Sequence, residues 1–183
     1  MDEIKNIVLD DKNPILRKHS LDLNVNNIQP NEKKLIDSMV KYIDISYNNE
    51  ADKYSINPGI AIASNQVGLL KKVIYVHFKC NENEYKYLLA NPKIVSHSFG
   101  ICYLSDGEGC LSVKDKHYGI VPRYQKIVVD AYDLINKKQI TINAENLLSI
   151  CLQHEIDHLL GIIYYDHINK DNPNYVKSEW IKI

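Results

Sequence analysis

Apolar residues recur at intervals of three and four in two stretches, a spacing that places them on one side of a helix. Over residues 145–160 the apolar stripe is broad, which predicts a central, buried helix. Asn143 is its expected N-cap and Gly161 its expected stop. The second stretch opens at Pro30 and ends near residues 48–49, and it predicts a scaffold helix with one buried face.

Strand-forming patterns occupy the middle of the chain. Runs of β-branched and aromatic residues, or alternation of apolar and polar ones, predict strands at 73–78, 85–90, 93–98, 101–104, 127–132 and 139–142, the last two as a hairpin. A short turn or helix at 13–17 and a final strand at 180–181 complete the prediction. We expect an α+β fold in one domain spanning residues 1–183, with small antiparallel or mixed sheets packed around the 145–160 helix.

Composition narrows the functional classes. The 183 residues carry 22 basic and 23 acidic side chains, a net charge of −1, so nothing favours a general nucleic-acid or membrane surface. The run at 54–70 carries no charged residue, but it is not predicted to be a membrane helix, because it contains Pro58 and Gly59. No signal peptide is evident near residues 7–9, so we expect a cytoplasmic protein whose four cysteines are free thiols or ligands.

The predicted 145–160 helix carries a pattern typical of metal-dependent hydrolases. His154 and His158 are four residues apart and lie nearly one turn apart on one face, where both imidazoles can reach one metal ion. Glu155 lies at the edge of that face, where its carboxylate can act as a general base. The alternative is a core helix with two hydrogen-bonded histidines.

The identity of the third metal ligand distinguishes the remaining hypotheses about the kind of metal site. Cys151 lies seven residues before His158, roughly 10 Å along the helix axis, too far for both to bind one ion together with His154. Glu179 lies at a distance that some zinc proteases use, although no second helix is evident there. Cys110 is the other candidate, in a turn with a glycine on either side of Glu108.

Together, three stretches resemble the peptide deformylase family, whose motifs read G-x-G-x-A-A-x-Q, E-G-C-L-S and Q-H-E-x-D-H. The second and third motifs match at every fixed position, over residues 108–112 and 153–158. The first matches at Gly59, Ala63 and Gln66. The long segment between the first two motifs resembles the form common in Gram-positive bacteria and their relatives, often called type 2.

The resemblance implies a hydrolase that removes the N-formyl group from the N-terminal methionine of nascent polypeptides at the ribosome and releases formate. It implies one divalent metal ion per chain, Fe²⁺ in the cell, with Ni²⁺, Co²⁺ or Zn²⁺ able to substitute. Ligand type alone would favour Zn²⁺. The metal ligands would be Cys110, His154 and His158.

In such a site a metal-bound water attacks the formyl carbon and Glu155 serves as general base. The side-chain amide of Gln66 and the backbone N–H of Leu111 are the expected donors to the developing oxyanion. Residues beside the motifs are the candidates for substrate binding: Gly59, Ile60, Ala61, Ile62, Gly109, Leu147 and Ile150.

Two charged residues are expected to support the site. Arg123 can pair with Glu108 and so fix the turn that carries the cysteine, unless it is simply an exposed charge. Asp157 is expected to orient a ligand or a backbone group.

Two other functional classes stay open. One is a zinc metalloprotease with Glu179 as third ligand. The other is a catalytically decayed metal-binding module, because the first motif departs from the family pattern at Ala61 and Ser64. We expect Ala61 to have an ordinary extended conformation, which would preserve the path of the loop and the position of Gln66.

Overall fold

The computed structural model describes residues 2–183 and has the predicted α+β architecture. Its helices are α1 (Asp2–Lys5), α2 (Pro30–Tyr47), α3 (Ala51–Tyr54) and α4 (Asn146–Leu159), with 3₁₀ turns at Pro14–Arg17, Ser64–Val67 and Tyr164–His167. Its strands are β1 (Ala61–Ala63), β2 (Val73–Cys80), β3 (Asn83–His97), β4 (Ile101–Tyr103), β5 (Arg123–Tyr124), β6 (Lys126–Asp133), β7 (Lys138–Glu145) and β8 (Ile181–Lys182).

Two sheets form the scaffold. The larger is an antiparallel sheet of five strands in the order β1-β2-β3-β6-β7. The smaller has the order β5-β4-β8 and is mixed, because β8 runs parallel to β4. No helix within residues 2–183 has both the length and the apolar character needed to cross a membrane.

The five-stranded sheet lies between two helices. Because side chains alternate along a strand, β2 sends Ile74 and Val76 into a core shared with α4, and Val73 and Tyr75 into a second core shared with α2. The sequence of β2 is therefore apolar on both faces and shows no alternation of apolar and polar residues. The helix α4 is buried as its broad apolar stripe predicts.

The predicted N-cap of α4 is wrong, whereas the residue predicted to end the helix is confirmed. Asn143 is not the N-cap, because it belongs to β7, where it pairs with Val128. The strand runs directly into the helix through Asn146, whose φ of 54° turns the chain without a loop. Gly161 follows the helix as predicted, with φ 75°, and its N–H donates to the His158 carbonyl.

The strand β3 corrects a second prediction. Residues 85–90 and 93–98 are not two strands but parts of one 15-residue strand with a register shift between Ala90 and Lys93. The shift falls at Asn91, which has φ 53° and whose side-chain amide pairs with the backbone N–H and C=O of Leu23. A distant segment of the chain therefore stabilises what the sequence presents as a strand break.

The first-motif loop has the expected path. Ala61 lies in β1, extended and paired with Val76, as predicted for a preserved loop. Ser64 is fully buried, and its hydroxyl donates to the Lys71 carbonyl. The strand β1 itself was not predicted, because three small apolar residues carry no periodic signal.

Two glycines with positive φ allow a matched stability test. An alanine Cβ at Gly161 would lie 2.6 Å from the carbonyl oxygen of Arg17, whereas at Gly68 (φ 84°) the nearest atom would be Leu9 Cδ1 at 3.9 Å. Both substitutions place alanine in a left-handed conformation, at roughly 1 kcal/mol. We expect Gly161→Ala to lower the free energy of unfolding by about 1–3 kcal/mol more than Gly68→Ala, because only the former meets packed backbone.

Urea denaturation of both variants measures the difference directly. Equal losses of stability would mean that the segment after α4 moves freely away from Arg17.

Candidate metal centre and its cavity

The helix α4 brings its two histidines together on one face. The rings of His154 and His158 lie with centroids 4.9 Å apart, and His158 is fully buried. The His158 Nε2 atom lies 3.2 Å from the sulfur of Cys110. One ligand atom from each of the three residues lies within 4.8 Å of the others. Metal bonds of about 2.0–2.3 Å can span a triad of this size.

Cys110 reaches the helix from the loop between β4 and β5. Gly107 has φ 72° and packs against the backbone of Gly119, which fits a tight turn at the start of the second motif. Past the cysteine, the Val113 N–H donates to the Cys110 carbonyl, and the Ser112 carbonyl accepts from Asp11. Hydrogen bonds to its own turn and to the N-terminal segment therefore hold the loop.

Cys151 does not join the triad. It is buried in the core between α4 and the large sheet, and burial raises the pKa of its thiol. Glu179, the alternative third ligand, lies on an exposed part of the chain near its C-terminus and accepts a hydrogen bond from Ser178. Among the described residues, only Cys110 completes a cluster with the two histidines.

A buried ion pair connects the cysteine loop to α4. Arg123 donates from Nε and Nη2 to the two carboxylate oxygens of Glu108, at 2.8 and 3.1 Å, and both side chains are 4% exposed. The predicted Arg123–Glu108 pair is thus confirmed. Asp157, on α4, accepts a further hydrogen bond from Arg123 Nη1. Although burial opposes ionisation, hydrogen bonds from His154 and the charge of Arg123 lower the pKa of Glu108 to about 2.

The ionised Glu108 fixes the tautomer of His154. Its Oε2 atom lies 2.7 Å from His154 Nδ1, which therefore carries a proton, so Nε2 is the nitrogen that can bind a metal ion after losing its own proton. Despite burial, the Cys110 thiol group and Glu108 raise the pKa of His154 well above its usual value. Positive charge is thus favoured between these groups, and a metal ion supplies it as well as a proton does.

The other histidine fits the same ion. Burial and the nearby positive charge of His154 hold the pKa of His158 well below its usual value, so its ring is neutral. Its Nε2 faces the cysteine sulfur, and the described chain offers its Nδ1 no hydrogen-bond partner. Once a metal ion replaces the extra proton of His154, two imidazoles and the Cys110 sulfur form a donor set suited to borderline divalent metals.

Gln66 lies on the opposite side of the cysteine. Its Oε1 accepts from the Ala63 N–H at 2.8 Å, so its Nε2 must point the other way, towards Ser112 Oγ at 3.1 Å and Cys110 Sγ at 3.6 Å. The N–H of Leu111 donates to no backbone carbonyl in residues 2–183. Two donors are therefore available beside the triad.

One cavity of about 460 Å³ opens onto two members of the triad, Cys110 and His154. It is lined by predicted residues from all three motifs: Gly59, Ile60, Ala61, Gln66, Gly109, Cys110, Leu111, Leu147, Ile150, His154 and Glu155. Sequence reasoning missed five further lining residues: Asn57, Pro58, Leu104, Glu108 and Cys151. Leu104 lies only four residues before the second motif, but it was predicted as the end of a strand and carries no signal of its own for a binding role.

Ile62 does not reach this cavity. It is fully buried in the core shared with α2, because alternation along β1 turns it to the face opposite Ala61. We therefore leave Ile62 out of the substrate site. Gly59 packs tightly against Leu111, where an added Cβ would come within 2.9 Å of the leucine side chain. A side chain at residue 59 would thus push the first motif away from the second.

Comparisons with known proteins show similarity over most of the chain. The family model described as polypeptide deformylase matches residues 4–174. A peptide deformylase of Ureaplasma parvum serovar 3 is 45% identical over 176 residues, 96% of this chain and 89% of that protein. Peptide deformylase 2 of Bacillus anthracis is 42% identical over 168 residues, 91% of this chain and 90% of that protein.

A solved structure shows the same fold. PDF from the Vibrio parahaemolyticus bacteriophage VP16T, in complex with actinonin, aligns with a TM-score of 0.67 and 33% sequence identity. The alignment covers 85% of this chain and 98% of that one.

The geometry predicts which cysteine binds metal. We expect Cys110→Ala to lose most of its bound metal, because only Cys110 approaches both histidines. We expect Cys151→Ala, a matched removal of a buried thiol, to retain one metal ion per chain. Elemental analysis of the two purified variants measures this, and equal retention by both would exclude Cys110 as a required ligand.

Proposed function

The chain belongs to the peptide deformylase family, and on that premise we propose that it removes the N-formyl group from the N-terminal methionine of nascent polypeptides and releases formate. The observation that carries this proposal is the meeting of the Cys110, His154 and His158 triad with Glu155 at one apolar cavity. A protease of the same motif would need a third ligand such as Glu179, which is exposed and outside the cluster.

The metal ion is proposed from this donor set and from the family. Cys110, His154 and His158 would hold one divalent cation, Fe²⁺ in the cell, with Ni²⁺, Co²⁺ or Zn²⁺ as substitutes. Such an ion, when bound, acts as a Lewis acid that lowers the pKa of a bound water to about 7. The remaining steps are derived from the side chains of the chain itself.

Glu155 is the proposed general base and acid. Its side chain is 4% exposed, and its Oε2 atom has no hydrogen-bond partner in the described chain. Burial raises the pKa of Glu155 to about 7, against the lowering effect of the His154 charge. A carboxylate with a pKa near neutrality takes the proton of the attacking water and then passes it to the leaving amine nitrogen. The water oxygen forms a new C–O bond with the formyl carbon. The C–N bond of the formamide then breaks, which gives formate and a free amine.

Two donors would stabilise the oxyanion that forms on the formyl oxygen. The Gln66 amide is held with its N–H groups towards Cys110, and the Leu111 N–H lies next to the same residue in the sequence. Because both are oriented before the substrate arrives, they need little rearrangement during the reaction. Removal of one such donor typically lowers the rate by about 10²–10³.

The peptide would bind along β1 with its methionine in the cavity. The strand β1 pairs with β2 on one side and is the edge of the large sheet, so its other side can accept an extended peptide. Leu147 and Ile150 provide apolar walls, and Ile60 lies at the rim with 43% of its surface exposed. Ala61 places a methyl group beside the peptide path without changing the extended backbone.

We further propose that residues 1–183 act as one catalytic domain and that its substrates are met at the ribosome, in the cytoplasm. The family match over residues 4–174 supports the first statement. The chemistry of the substrate supports the second, because N-formylmethionyl chains arise during translation.

A formate-release assay tests the proposed function. Chain purified without oxygen and loaded with Fe²⁺ should release formate from formyl-Met-Ala-Ser. Glu155→Gln should retain one metal ion per chain and lose turnover by about 10²–10⁴, because glutamine keeps the shape but cannot accept the proton.

Two outcomes would contradict the proposal. Cleavage of the Met–Ala bond in place of formate release would indicate a protease. A metal-free Glu155→Gln protein would mean that Glu155 is a ligand.

A further inference from the structure

His167 ends the 3₁₀ turn that follows α4 and contacts the helix from outside the site. Its Nε2 atom lies 2.7 Å from Oδ2 of Asp157, and its side chain is 34% exposed. The described cavity residues do not include it. Neither the motifs nor the proposed chemistry assigns it a role.

The contact continues inward to a proposed metal ligand. Asp157 Oδ2 also accepts from Arg123 Nη1, while the other two donor positions of Arg123 are used by Glu108. Glu108 in turn holds His154 Nδ1 at 2.7 Å. An unbroken series of hydrogen bonds between charged or polar groups thus connects the half-exposed His167 to the buried His154.

Asp157 needs a donor besides Arg123, because it is largely shielded from water. Arg123 gives two hydrogen bonds to Glu108 and one to Asp157, whose side chain is only 17% exposed. A second donor on Asp157 offsets the loss of its hydration. Without that donor, the Asp157 carboxylate would gain hydration by turning towards solvent. Arg123 would then lose its third hydrogen-bond acceptor.

The turn that carries His167 has its own anchors. Arg17 pairs with Asp166, and the Asp166 carboxylate accepts from the Ile163 N–H. The buried Tyr164 donates its hydroxyl to the His117 carbonyl and accepts from the His117 N–H. The hydrogen bond from His167 is therefore not required to keep the turn in place.

We propose that His167 is a positioning residue, which holds Asp157 and Arg123 so that Glu108 keeps the His154 ring in its metal-binding orientation. The inference rests on the metal site proposed above and adds a specific outer residue to it. Loss of outer partners of a metal-binding histidine typically weakens metal affinity by about 10–100-fold.

Metal affinity and the Co²⁺ visible spectrum test this proposal without an activity assay. We expect His167→Phe to raise the Co²⁺ dissociation constant by about three- to tenfold, less than the roughly 10–100-fold typical for loss of the histidine's direct partner, and to change the absorption spectrum of the bound ion. His167→Gln should restore most of the wild-type affinity and spectrum, because its amide N–H can donate to Asp157 from the position of Nε2.

Arg17→Ala is the matched control, since it removes an anchor of the same turn and leaves His167 unchanged. It should lower the melting temperature while the Co²⁺ dissociation constant stays within about twofold of the wild type. A His167→Phe chain with wild-type affinity and spectrum would overturn the inference, as would an equal loss of affinity in Arg17→Ala. Failure of the wild-type chain to bind Co²⁺ would overturn the proposed function itself.

Discussion

The ion pair between Glu108 and Arg123 is the interaction on which the site depends. The pair joins the irregular loop that carries Cys110 to the strand β5. It also holds this loop against α4, because Glu108 contacts His154 and Arg123 contacts Asp157. Both side chains are 4% exposed, so removal of either partner from this buried pair is expected to cost about 3–5 kcal/mol of stability. The same carboxylate sets the tautomer of His154. This one ion pair thus fixes the position of the Cys110 sulfur and the orientation of the His154 ring.

Half of the buried side-chain polar atoms that lack a hydrogen-bond partner in the described chain lie at this site. Within residues 2–183, four buried side-chain polar atoms have no hydrogen-bond partner, and two of them, Glu155 Oε2 and His158 Nδ1, belong to the site. Buried polar groups are normally paired, so unpaired ones indicate a place where a missing group is expected. Glu155 faces the cavity, where a substrate or a water molecule can provide that partner. The large sheet and α4 hold these atoms in place through a closely packed core.

The sequence predicted what depends on local pattern and missed what depends on distant contacts. The helices α2 and α4 and the β6–β7 hairpin have clear periodicity, and they form as predicted. The strand β3 is one element in place of the two predicted, because Leu23 supports the bulge at Asn91 from elsewhere in the chain. The spacing of His154 and His158 indicated two metal ligands, and the family resemblance added Cys110. Neither gave a sign of His167, whose contact is set by how a 3₁₀ turn packs on α4.

The central claim is that one thiolate and two imidazoles surround a single metal ion. X-ray absorption at the zinc K edge of the Zn²⁺-loaded chain measures this coordination directly. The structure predicts one sulfur neighbour at about 2.3 Å and two imidazole nitrogens at about 2.0–2.1 Å. A zinc ion with only nitrogen and oxygen neighbours, or with two sulfur neighbours, would contradict the ligand set of Cys110, His154 and His158.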